Sequence, residues 1–151
     1  EKEIKDGQIE VNVDSNKIVI RIAENGTFTS GMAEMKRSFK PILEKLNQAI
    51  VEVGGNVTVA GHTDNVPISS SLYRSNWDLS SLRAVSVVHE LLLLGDLKPS
   101  NLSVEGFADT RPIAPNDTPE NRALNRRVEL IIEQGGAGAE EGSKIDIIES
   151  Y

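Results

Sequence analysis

The chain has 151 residues, enough for one domain with a sizeable core, and its 38% hydrophobic and 26% charged residues are ordinary for a globular protein. Its net charge of -7, with no basic cluster interleaved with aromatics, argues against a nucleic-acid surface, which needs a positive field. The absence of cysteine excludes disulfides, thiolate zinc sites and thiol nucleophiles, and no apolar run approaches the roughly 20 residues of a membrane span. No signal peptide is evident, and an opening on Glu1 rather than Met suggests a piece of a longer protein. Aromatics are only 4%, so Val, Ile and Leu must build the core.

Residues 8–13 and 17–22 alternate apolar with polar around Asp14-Ser15-Asn16, which predicts a β-hairpin. A loop is expected over 23–31. From Met32 the apolar positions Met35, Phe39, Ile42, Leu43, Leu46 and Ile50 follow a helical period. Pro41 lies inside that pattern, so the helix either starts near Ser38 or bends there. Gly54-Gly55 ends it, and Val57 and Val59 mark a strand over 56–60. After a loop over 65–77, Asp78 is read as the N-cap of a helix to about Leu94, with Ala84, Val87, Val88, Leu91 and Leu92 as its stripe. Gly95 stops it.

A strand over 101–106 and a Pro-rich loop follow. Thr118-Pro119 then opens a short helix over 119–125, and a strand over 127–133 buries Val128, Leu130 and Ile132. The order β-β-α-β-α-β-α-β predicts an α/β (α+β) sandwich, a mixed sheet with helices packed on one face. In domain terms, residues 1–16 are a lead-in and first hairpin strand, 17–134 the domain proper, and 135–151 a Gly/Ala/Glu-rich tail expected to be mostly disordered.

Catalysis finds little support. The only histidines are His62 and His89, the latter mid-helix and read as a surface residue. A His62/Asp64 metal pair lacks a third ligand of suitable spacing, and no phosphate loop or nucleophile elbow is present. No metal or cofactor is expected. More informative are polar groups at element boundaries: Thr63 and Asp64 past a strand end, Asn76 before a helix, Arg83 in its first turns, and Asn125, Arg126 and Arg127 at a helix–strand junction. A carboxylate and a guanidinium side by side recognise a zwitterion, the first accepting from an ammonium and the second gripping a carboxylate. Pattern alone favours the plainer alternative that Asp64 and Arg83 pair only with each other.

Three stretches, Gly61-His62-Thr63-Asp64, Leu79-Ser80-Ser81-Leu82-Arg83-Ala84 and Asn121-Arg122-Ala123-Leu124-Asn125-Arg126-Arg127-Val128-Glu129, together resemble the OmpA-like peptidoglycan-binding family. The linking 104–109 and 112–119 also fit, and the resemblance spans about residues 18–133 in order and spacing. It implies a non-catalytic domain whose ligand is the diaminopimelate of the cell-wall stem peptide. Asp64 would bind the ammonium and Arg83 the carboxylate, with further hydrogen bonds from Thr63, Asn76, Asn125 and Arg126. Arg127, one residue along the strand, points to the other face and is left structural. Asn25 is a looser candidate and is not assigned.

The long glycine-free loop ending Ser75-Asn76-Trp77-Asp78-Leu79-Ser80 is similar to flagellar stator B subunits, the MotB and PomB group, and residues 64–75 look nearest to the sodium-driven PomB type. Trp77 is read as a core plug beneath that loop. The resemblance implies a homodimer in the periplasm, its parent anchored in the inner membrane beside a stator A subunit (MotA/PomA type), with periplasmic motor ring proteins as further partners. An outer-membrane or lipoprotein wall linker of the same family is the alternative.

Overall fold

The computed structural model describes residues 9–134, so the expectation for the 135–151 tail lies outside the described residues. A hairpin of β1 (Ile9–Asp14) and β2 (Lys17–Ala23) leads into a single helical turn, α1 (Glu24–Thr27). A 3-10 turn (Arg37–Phe39) opens α2 (Lys40–Val53), followed by β3 (Asn56–His62) and α3 (Asn76–Leu94). A second 3-10 turn (Pro99–Asn101) precedes β4 (Leu102–Gly106), and α4 (Pro119–Asn125) runs into β5 (Arg127–Glu133).

The five strands form one mixed sheet in the order β1-β2-β5-β3-β4, antiparallel except for the parallel β3–β4 pair. The alternation read from the sequence decides which face is covered. Ile18, Ile20 and Ile22 of β2, Val57 and Val59 of β3, and Val128, Leu130 and Ile132 of β5 all point inward. They meet Phe39, Leu43, Leu46, Ile50 and Val53 from the α2 side and Ala84, Val87 and Leu91 from α3. Burying an aliphatic side chain contributes about 1.5–3 kcal/mol, so this layer dominates the stability of the fold. The predicted mixed sheet with helices on one face is what forms.

Three local expectations are corrected. Residues 24–27 make a helical turn where a loop was expected; the Thr27 hydroxyl donates to the Ala23 carbonyl at 2.9 Å and helps close it. Met32 and Met35 keep the helical period but are not helical. Met35 instead bridges Phe28, and Lys36 N donates to Thr27 O at 2.8 Å, so 28–35 is a closed loop. Pro41 falls in the first turn of α2, where its missing N–H costs nothing. The third concerns the start of α3: its N-cap is Ser75, whose hydroxyl accepts from Trp77 N at 3.1 Å. Asp78 sits three residues inside and accepts from the Arg74 N–H at 2.9 Å, which ties the residue before the cap to the first turn of the helix.

Two glycines fix the helix α3 in place. Gly95, at φ 82°, supplies the left-handed residue that ends it. At Gly61 a Cβ would collide with the Ser80 backbone carbonyl, so only glycine lets β3 lie directly against the first turns of α3. That contact sets the C-terminal end of β3 beside Arg83.

Candidate functional site

Where β3 ends, Thr63 N donates to Ala108 O at 2.8 Å and the Thr63 hydroxyl donates to Asp64 O at 2.8 Å, holding the chain as it leaves the sheet. Asp64 then accepts from Val66 N through Oδ1 at 3.0 Å, an Asx-type turn that fixes the carboxylate. Asn76, first residue of α3, donates to Val66 O at 3.1 Å and to Asp64 O at 3.4 Å, tying the loop to the helix.

Arg83 is among the most buried large side chains, 2% exposed. Its Nε donates to Met32 O at 2.7 Å, its Nη2 to Glu24 Oε2 at 2.8 Å and to Thr29 O at 3.3 Å, and the guanidinium stacks 5.0 Å from the Phe28 ring centroid. Burial pulls its pKa below the ordinary arginine value, and Glu24 counters that pull. The loop 28–35 is therefore folded around this one cation.

Arg126 completes the arrangement, its Nε donating to Glu24 Oε1 at 2.9 Å and its Nη1 to Asp64 Oδ2 at 2.7 Å. Partial burial works against its charge, but the bonds to Asp64 and Glu24 outweigh it and raise the pKa. The order Arg83, Glu24, Arg126, Asp64 alternates in sign, each neighbour in direct contact. Charges that deep are tolerated only when paired in this way.

Thr63, Asp64, Asn76, Arg83 and Arg126 all border one cleft of ≈ 450 Å³, open between the 65–68 loop and α4. Asp64 and Arg83 do not pair with each other; their partners are Arg126 and Glu24 respectively. The plainer alternative weighed from the sequence is thereby set aside. The cleft presents an acid at one position and a guanidinium at another, which is the chemistry that holds a zwitterionic amino-acid end.

Asn125 is not on the cleft. Its amide is wholly buried and spent within the fold: Oδ1 accepts from Ile113 N at 2.7 Å and Ala114 N at 3.0 Å, while Nδ2 donates to Ala114 O and Asn116 Oδ1. It pins the Pro-rich loop. Arg127 lies on the other sheet face, paired with Glu129 at 2.7 Å, as its strand parity implied. His62 shares that face, stacked on Phe107 at 5.1 Å, and its pKa is lowered to about 4 by burial and then by Arg127. Among the described residues no cluster of three His, Cys, Asp or Glu comes together that could hold a metal. Trp77 is 53% exposed and so is not a core plug; the buried aromatic under the loop is Tyr73, whose hydroxyl accepts from Ala33 N at 2.8 Å.

Sequence reasoning missed Glu24 and Arg122. Glu24 reaches the site because β2 pairs with β5 and Glu24 N donates to Arg126 O at 3.1 Å, a pairing no local pattern announces. Arg122 had a signal: it stands one helical turn before Arg126 and borders the same cleft.

The sequence matches the OmpA family over residues 27–126, a segment that contains every side chain of the cleft except Glu24. Motility protein B of Bacillus subtilis is 36% identical over 142 residues, which is 91% of this chain and 54% of that protein, so the chain spans about half its relative's length. Among solved structures, the cell wall anchor of the T6SS from Pseudomonas aeruginosa superposes with a TM-score of 0.82 at 36% identity, covering 88% of this chain and 92% of that one. The periplasmic domain of Helicobacter pylori MotB (residues 97-256) gives 0.75 at 26% identity, covering 93% and 97%. The chain belongs to the OmpA family, as an OmpA-like domain of the MotB type.

Proposed function

We propose that this domain binds peptidoglycan without catalysis, taking the free amino-acid end of the stem-peptide diaminopimelate between Asp64 and Arg83. The observation that carries the reading is the shared cleft, in which an acid and a guanidinium border the same space but are not each other's partner. The ligand's ammonium would bind Asp64 and its carboxylate Arg83, with hydrogen bonds from Thr63, Asn76 and Arg126. A net charge of -7 gives no general attraction to an anionic wall, so specificity rests on these local groups.

The larger role follows from the relatives. Similarity to motility protein B and to MotB periplasmic domains supports a flagellar stator B subunit, with the domain in the periplasm and its parent anchored in the inner membrane beside an A subunit. Two such domains in a homodimer bring avidity to weak single-site binding on a polymer, and motor ring proteins are further candidate partners. The sodium-driven subtype rests on the 64–75 loop alone. Similarity to a T6SS cell wall anchor supports the wall-anchoring element independently of any motor, and an outer-membrane or lipoprotein linker remains the competing parent.

The test is a pull-down on purified peptidoglycan with the wild-type domain and with Asp64→Asn. Binding by the wild type and its loss in the variant support the reading; equal retention of both on the wall overturns it. Release of soluble muropeptides from the same incubation would overturn the non-catalytic part.

A further inference from the structure

Five charged side chains border the cleft: Glu24, Asp64, Arg83, Arg122 and Arg126. Four of them form the alternating chain, two cations against two anions in direct contact. Arg122 stands outside it. Its guanidinium makes no ion pair and no side-chain hydrogen bond among the described residues, although the backbone around it is ordered by the Thr118 cap and the Arg126 N–H. The cleft thus carries three arginines against two carboxylates, one positive charge in surplus.

A zwitterionic ligand end is neutral. Exchanging its ammonium and carboxylate into contacts with Asp64 and Arg83 leaves that surplus untouched. A guanidinium is a planar fork of five donors with no acceptor, suited to a carboxylate. Arg122 is half-buried, stands four residues before Arg126, the C-cap of α4, and borders the same cleft as the chain of four.

We propose that Arg122 reads a second carboxylate on the ligand, separate from the zwitterionic end, so that the cleft selects acidic peptides over neutral ones. The inference rests on the proposed function. On a stem peptide ending at diaminopimelate, the free main-chain carboxylate of that residue is such a group. Capping it, by amidation or by a further neutral unit, removes what Arg122 recognises. The domain then distinguishes states of the peptide and does not merely detect its presence.

Calorimetric titration with two synthetic stem tripeptides tests this. Both keep an unsubstituted zwitterionic diaminopimelate end; the main-chain carboxylate is free in one and a carboxamide in the other. At low salt the wild type should favour the free acid by about threefold, the scale of a partly exposed charge pair, and the preference should fade as salt is raised. Arg122→Gln should abolish the preference while binding the carboxamide as the wild type does, and Arg122→Lys should retain part of it. A preference that survives in Arg122→Gln, or none in the wild type, overturns the assignment while leaving the Asp64/Arg83 reading intact. Failure of the wild type to bind either peptide overturns both.

Discussion

Arg126 donates to Asp64 at 2.7 Å and to Glu24 at 2.9 Å, so the carboxylate assigned to the ligand's ammonium already holds a cation. Asp64 is 7% exposed, whereas Arg126 is the one member of the alternating chain with substantial solvent contact, its side chain 32% exposed. Under the proposed binding mode, an incoming ammonium competes with the most exposed cation of the chain, and the ligand's carboxylate meets the most buried one. This asymmetry shapes what each substitution should do.

Asp64→Asn keeps the shape of the side chain and an oxygen for the Val66 N–H but removes the negative charge. Binding of a diaminopimelate peptide should weaken at least tenfold, since a charge-assisted bond is replaced by a neutral one. The fold should lose only about 1 kcal/mol, because Arg126 keeps Glu24 and is partly solvated. Titration calorimetry and urea denaturation of the same preparation separate the two effects. Unchanged affinity would remove Asp64 from the site.

Arg83→Ala, by contrast, is expected to unfold more than it unbinds. The side chain closes the 28–35 loop through Met32 O and Thr29 O and holds buried Glu24, which would be left as a nearly buried acid with one partner fewer. Breaking a buried pair from one side costs about 3–5 kcal/mol. Loss of wall binding in this variant is therefore interpretable only beside its denaturation midpoint. The double substitution Arg83→Met with Glu24→Gln should recover part of the stability and none of the binding.

How much of this was legible follows from which forces are local. The sheet faces were readable because Ile18, Ile20 and Ile22, or Val128, Leu130 and Ile132, repeat at the strand period. The Thr118-Pro119 start was readable because capping and proline geometry lie within four residues. Glu24 was not readable: its place beside Arg126 depends on β2 lying next to β5, more than 100 residues away in sequence. Asn125 was misplaced because an amide beside two arginines looks like a ligand contact until its four backbone and side-chain partners are seen. Asp78 looked like the N-cap because an acid in the first turn of a helix has the residue type of one; the cap is Ser75, and Asp78 accepts from Arg74 N from three residues inside the cap.

Trp77 carries a prediction of its own. With half its surface in solvent, Trp77→Ala should change stability by less than about 1 kcal/mol, against the 3–5 kcal/mol of a buried tryptophan. Tyr73→Ala should be the costlier change, since it empties a buried position and orphans the Ala33 N–H. Denaturant midpoints of the two variants check the order. A larger loss for Trp77 would mean that its exposed ring is covered in solution.

Acid should destabilise the fold through His62. His62 is 4% exposed, neither ring nitrogen has a hydrogen-bond partner among the described residues, and Arg127, Arg111 and Arg21 lie around it, with Glu129 the one opposing charge at 3.7 Å. Its folded pKa of about 4 lies below the ordinary 6.5, so between those values the unfolded chain binds the proton and the folded chain does not. Stability must then rise with pH through this window, reach its full value above about 6.5, and fall as acid is added. From pH 7.5 to pH 5 the loss attributable to His62 is about 2 kcal/mol. Glu129 adds in the same direction at lower pH: burial disfavours its charge, but Arg127 holds its pKa below the usual carboxylate range. His62→Phe keeps the stack on Phe107 and removes both unpaired nitrogens, so it should be neutral to mildly stabilising at pH 7.5. Its advantage over the wild type should widen at pH 5 by the same ~2 kcal/mol. Urea unfolding at the two pH values measures this, and a variant with the wild-type pH slope would show that His62 is not the group held neutral.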